Sequence, residues 1–220
     1  MFATGGEKLY KITRCRDCPN AVIKIDRVED VLYKLFQDKD FNERHLKYLK
    51  CLRPKHHDIF QVAIAGCPNS CSQPQIKDFG IQGQLVPIIG AGCTGCGLCV
   101  AACPDNCLEL ATSGPAINRE LCINCGKCAS TCPTGTIGAG EIGFRVIRGG
   151  KLGRRPVLAQ EVCSLTDEKG MVGLLTETID LLHQEGQAGE RLGSLLERIN
   201  CKDKKINLDI CRLLAYNCNV

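Results

Sequence analysis

Apolar residues recur early in the chain at Val28, Val31, Leu32, Leu35 and Phe36, a spacing of 3, 1, 3 and 1 that puts them on one helix face. Asp26 with Glu29 three residues later reads as a capping-box pattern at the start of that helix. A second helix is predicted from Asp40 to about Leu49, with Pro54 blocking its continuation. The run Ile59 to Ala65 reads as a strand entering the turn GCPNSC, residues 66–71. Further on, FRVIRGGKLGRRPVLAQ predicts a strand, a glycine turn and a basic loop. Two helices follow, one ending near Gly186 and the other carrying Leu192, Leu195, Leu196 and Ile199 on one face. The flanks thus contain both helices and strands, and the expected fold class is α+β.

The GCPNSC turn sets Cys67 and Cys71 on a loop built from Gly66, Pro68, Asn69 and Ser70, an arrangement open to a disulfide or to a metal cluster. A repeat narrows the choice for the chain as a whole. CTGCGLCVAACP begins at Cys93 and CINCGKCASTCP begins at Cys122, so one C-x2-C-x2-C-x3-C-P pattern occurs twice, 29 residues apart. Such spacing lets three thiolates meet an iron–sulfur cube while the fourth cysteine of each run serves the other cluster. The expected ligand sets are Cys93, Cys96, Cys99 with Cys132, and Cys122, Cys125, Cys128 with Cys103. Structural zinc sites or disulfides are the weaker alternative. Cys107, an additional thiol in the first run's loop, is read as a small buried apolar residue.

Composition places these cysteines. The chain has 220 residues, 44% of them apolar, enough for a real core. Its 18 cysteines reach the fraction, about 8%, at which short secreted chains become disulfide scaffolds. The amino-terminal MFATGGEKLYK, however, has no apolar signal core, and no run approaches the roughly 18 apolar residues of a membrane span. A reducing cytoplasm, with most thiols on metal, is the expectation. A formal net charge of +4 without aromatic-rich basic stretches excludes nucleic acid as a partner.

From about Ile89 to Gly140 the chain resembles a bacterial two-cluster ferredoxin, which gives the domain reading: an inserted module at 89–140 inside a discontinuous unit of 1–88 and 141–220. The surrounding unit has its own resemblance. AGCPNSCSQPQIKDFGIQG, GFRVIRGGKLGRRP and GQAGERLGSLLERI are similar to the nitrite/sulfite reductase family, in the half that holds a siroheme-coupled cluster. The order of segments matches that of dissimilatory sulfite reductase subunits, which carry a ferredoxin at this place.

The resemblance implies that Cys67 and Cys71 match the second cysteine pair of a third 4Fe-4S cluster, with Cys71 bridging to siroheme iron and Asn69 lying against the macrocycle. The first pair departs from the family: RCRDCPNA offers Cys15 and Cys18 as C-x2-C where C-x5-C is expected. Either Cys15, Cys18, Cys67 and Cys71 form the set, or one of the first two stays free and Cys51 or a non-protein ligand completes it. Only fourteen residues precede Cys15, where full-length relatives place a further domain that grips siroheme and substrate. A redox partner protein or complementary reductase subunit is expected to supply that half.

The basic stretch Arg145, Arg148, Lys151, Arg154 and Arg155 is a candidate for siroheme carboxylates or an acidic partner, with Lys151, Arg154 and Arg155 the chosen cofactor contacts; the alternative is a solvated loop. His56 and His57 are read as surface or core residues, and Cys163, Cys201, Cys211 and Cys218 as structural or free thiols. Two main functions follow: a three-cluster relay of single electrons within an oxidoreductase complex, or a siroheme-binding catalytic subunit. Clusters serving only as structural pins are the third.

Overall fold

The computed structural model describes residues 8–38, 40–51 and 53–203. Cys211, Cys218 and the side chain of Cys201 lie outside the described residues. Strand β1 (Tyr10–Arg14) leads to helices α1 (Ile25–Asp38) and α2 (Phe41–Leu49), then to β2 (Phe60–Ala65) and the long β3 (Phe79–Ile89). Between β3 and the similarly long β6 (Ile137–Arg148) lie α3 (Leu98–Ala102), β4 (Leu108–Ala111), β5 (Gly114–Ile117) and α4 (Lys127–Thr131). The chain continues through β7 (Gln160–Thr166), α5 (Glu168–Glu185) and α6 (Leu192–Asp203).

Five strands form one mixed sheet in the order β1-β2-β3-β6-β7. β1, β2 and β3 run parallel, whereas β6 is antiparallel to β3 and β7 to β6. Strand β2, FQVAIA, inside the sheet, is almost wholly buried, as expected of a strand covered on both faces. Alternation along β3 sorts its neighbours: Phe79 and Ile81 enter the main core, while Gly80 and Gln82 face Pro74 and Ser70 in the loop that follows β2.

The α1 face is built from Ile25, Val28, Leu32 and Phe36, with Val31 and Leu35 at its margin. The predicted capping box does not fall where expected. The helix begins at Ile25, so Asp26 stands in its first turn, and Asp26 and Glu29 both pair with Arg14 at the end of β1, at 2.8 and 3.1 Å. Stacked and edge-on rings of Tyr10, Phe36, Phe41 and Phe60 join β1, α1, α2 and β2. Among the described residues no helix is long and apolar enough to cross a membrane.

The β3–β6 ladder runs outward to the pair Ile89 and Ile137. At its tip the intervening segment has a small core of its own, Cys99, Leu108, Cys128 and Ile137, and the hairpin of β4 and β5.

Candidate iron–sulfur sites

The repeated cysteine runs fold into repeated backbone. Gly95 and Asn124 occupy equivalent places and have φ of 72° and 55°; Gly97 and Gly126 have 73° and 70°; Asn106 and Gly135 have 50° and 67°. These are left-handed conformations that only glycine, and asparagine among other residues, adopt readily. Successive amides in such turns point into a common concavity, the kind of nest that receives anions and iron–sulfur groups.

Each concavity draws on both runs. Cys93, Cys96, Cys99 and Cys132 line one recess. Cys103, Cys122, Cys125 and Cys128 line a second, together with Cys107. Backbone N–H groups point at the sulfurs: Gly95 to Cys93 at 3.4 Å, Ile137 to Cys132 at 3.4 Å and Cys107 to Cys103 at 3.4 Å. The Ile137 amide and then the Thr134 hydroxyl bring the Cys132 thiol down to about 7, whereas burial pushes Cys128 up to about 11.

A third group of thiols forms at the carboxyl ends of β1 and β2. Those strands are parallel neighbours with Arg14 beside Ile64, so the residues just beyond them emerge side by side. The Cys15 amide donates to the Ile64 carbonyl at 3.1 Å, and the Gly66 amide donates to Cys15 Sγ at 3.2 Å. Burial raises the Cys67 thiol above its ordinary range, and the neighbouring Cys71, Cys15 and Cys18 add to the rise. These four cysteines are therefore close enough to act on one another. Cys51 follows α2, whose His45 bonds Asp58 at the amino end of β2, whereas Cys67 follows the carboxyl end of that strand.

The Cys67–Cys71 turn is held from several sides. Asn69 Nδ2 donates to Cys71 Sγ at 3.1 Å. Buried Gln82 donates to Ser70, which sits in a left-handed conformation at φ 59°, and accepts from Arg145 at 3.4 Å. Arg145 in turn pairs with Glu161 at 2.5 Å. Gly83 passes so close that a Cβ there would stand 2.5 Å from the Gly66 carbonyl oxygen. None of this network is apparent from residue spacing.

The basic stretch is dispersed by its strand. Arg145 serves Gln82 and Glu161, Arg148 donates to Thr178 at 3.3 Å, and Lys151 is buried, its Nζ bonded to Ser194 at 2.6 Å and Glu197 at 2.9 Å. Lys151 thus ties the end of β6 to α6, while Arg154 and Arg155 are exposed in the loop that follows. His56 and His57 are both exposed.

One junction links the second recess to the third thiol group. The Leu85 amide of β3 donates to the Asn124 carbonyl at 2.8 Å, Asn124 Nδ2 donates to Gln84 at 3.1 Å, and Leu85 and Cys125 form a parallel bridge. The loop Pro19–Val22 faces Cys125–Ser130 across a cleft shared with Leu85. A sequence signal for this exists only in retrospect, as Asn124 standing where the first run has Gly95. Among the described residues no three His, Cys, Asp or Glu side chains close to the spacing of a single-ion site.

The features together define an α+β domain rich in clustered cysteines, and comparison with known proteins gives its family. The family described as nitrite and sulphite reductase 4Fe-4S domain matches residues 53–203, and the chain belongs to it. The chain is 32% identical over 143 residues to the coenzyme F420-dependent sulfite reductase of Methanocaldococcus jannaschii, an alignment covering 64% of this chain and 23% of that protein. Its fold is similar to that of dissimilatory sulfite reductase I (DsrI), with TM-score 0.59, 16% identity, and coverage of 95% of this chain and 55% of that one. The NirA protein of Mycobacterium tuberculosis aligns with TM-score 0.48 and 16% identity over 87% of this chain and 26% of its own. The chain thus spans about a quarter to about half of the proteins it matches.

Proposed function

We propose that this chain is an iron–sulfur relay of the nitrite/sulfite reductase family, carrying three 4Fe-4S clusters and passing single electrons within an oxidoreductase complex. The ligand sets are Cys93, Cys96, Cys99, Cys132; Cys103, Cys122, Cys125, Cys128; and Cys15, Cys18, Cys67, Cys71. The observation that carries this reading is that each of the two recesses is lined by three thiols of one run and the fourth of the other. The donor set fits: cysteines only, backed by backbone amides. When bound, each cluster accepts and gives up one electron. The remainder falls to the protein. Its amides and the Asn69 side chain stabilise negative charge on the sulfurs, and the double attachment to β3 and β6 fixes the distances between sites. The Leu85–Asn124 hydrogen bond and the close approach of the Gly83 backbone to the Gly66 carbonyl give a short route, with one step through space, from Cys125 to the Cys15 and Cys67 group.

A redox partner or complementary reductase subunit supplies the donor and acceptor. Thiols kept available for metal suit a reducing compartment such as the cytoplasm. Anaerobic purification with iron and sulfide analysis tests the proposal: about twelve irons per chain are expected, and about eight would remove the third cluster.

One observation favours a second reading, a siroheme-binding catalytic subunit. Cys71 is exposed, so one side of its sulfur is open to a bridge, and exposed Arg154 and Arg155 are available to carboxylates. Siroheme extractable after expression in a siroheme-making host would support this reading, and its absence would reject it.

A further inference from the structure

The recess lined by Cys103, Cys122, Cys125 and Cys128 contains one cysteine too many for a cubane. Cys107 lines the same recess. It is only 5% exposed, so it is not a surface thiol. Its Sγ lies 3.3 Å from Cys103 Sγ, and its backbone amide points at that same sulfur. A small apolar residue would fill the volume equally well but could not make the sulfur–sulfur contact. Cys107 also faces Cys122, so it stands between two corners of a four-cornered site with its sulfur against that of Cys103.

Resting on the ligand set proposed above, we infer that Cys107 is the alternate fourth thiol of this cluster: it donates an S–H hydrogen bond to the Cys103 thiolate and can take its place on the iron. The first role follows from donor inventory, because of two adjacent thiols one must be deprotonated to bind iron, and the other keeps its proton as a weak donor. Reduction adds negative charge to the cluster sulfurs, so a donor at Cys103 favours the reduced form and raises the potential. The second role follows from position. A ligand exchange at this corner moves the metal bond by no more than the gap between two sulfurs already in contact, with the proton passing from Cys107 to Cys103.

Four proteins test the inference: the unaltered chain, Cys107→Ala, Cys103→Ala and the double variant, each purified anaerobically for iron content, electron paramagnetic resonance and potentiometry. Cys107→Ala should keep its iron and shift one couple toward more negative potential by up to about tenfold in its equilibrium, about 59 mV for one electron. Cys103→Ala should keep the cluster with an altered signal, and the double variant should lose it. Loss of the same iron from Cys103→Ala as from the double variant would overturn the exchange. Unchanged potentials in Cys107→Ala would overturn the hydrogen bond. A chain that in unaltered form holds no cluster in this segment would instead overturn the ligand set itself.

Discussion

Replacing Gly83 with alanine probes the closest backbone approach at the third thiol group. The added Cβ would stand 2.5 Å from the Gly66 carbonyl oxygen and 2.7 Å from Ile23 Cγ1. Ordinary contact begins near 3.4 Å, so the turn must retreat by about 0.9 Å; because the obstacle is backbone, side-chain rotation cannot relieve it. The Gly66 carbonyl accepts the Val22 amide at 2.8 Å, and the Gly66 amide donates to Cys15, so the displacement reaches the loops that hold both Cys15 and Cys18. Overpacking of this kind costs about 1–3 kcal/mol. Taking about 2 kcal/mol, the melting temperature of a chain this size should fall by roughly 4–8 °C. Iron should drop toward about eight per chain, because both cysteine runs lie beyond the disturbed contact. Thermal unfolding under anaerobic conditions, with iron analysis of the same sample, measures both effects. Unchanged melting together with full iron would refute the claim that the β3 backbone positions the Cys67 turn.

Cys71→Ser should remove one reduced paramagnetic signal and its coupling to a neighbour while leaving the two clusters of the repeated runs assembled; an unaltered spectrum would mean that the GCPNSC turn holds no cluster. Lys151→Met keeps the buried stem but abandons the Ser194 and Glu197 bonds to α6, so denaturant unfolding should show a loss of about 1–3 kcal/mol with cluster content intact. Depletion of iron from this variant would instead place Lys151 at a cofactor. Buried His45 and half-buried His183, 3.0 Å apart, predict an acid-sensitive contact between α2 and α5. Burial, then His45 and Arg44, hold His183 down at about 4, below its ordinary value of 6.5. Since the folded pKa is the lower one, the unfolded chain binds more protons between those values: stability is full above about 6.5 and declines as pH falls toward 4. Urea unfolding at several pH values should show that slope, and His183→Leu should flatten it.

The amino-acid sequence alone determined what depends on near neighbours. The span of α2, the strand before GCPNSC and the helix ending near Gly186 follow from apolar period and from turn residues, which act within a few positions. The exchange of the fourth cysteine between the two recesses was legible in the repeated spacing of the cysteine runs, and the family was readable from GCPNSC and GGKLGRRP. Other features came only with tertiary structure. Asp26 and Glu29 look like a cap, but Arg14, a dozen residues away in the chain, lies beside them once β1 is in place. Lys151 looks like part of an exposed cationic loop until the end of β6 turns it into α6. Cys107 reads as a small apolar residue, although the fold presses its sulfur against Cys103. In each case the deciding neighbour comes from a different element or turn of the chain. The pairing of β3 with β2, β6 and Asn124 sets those distances, and pairing between distant segments leaves no period in the sequence that feeds it.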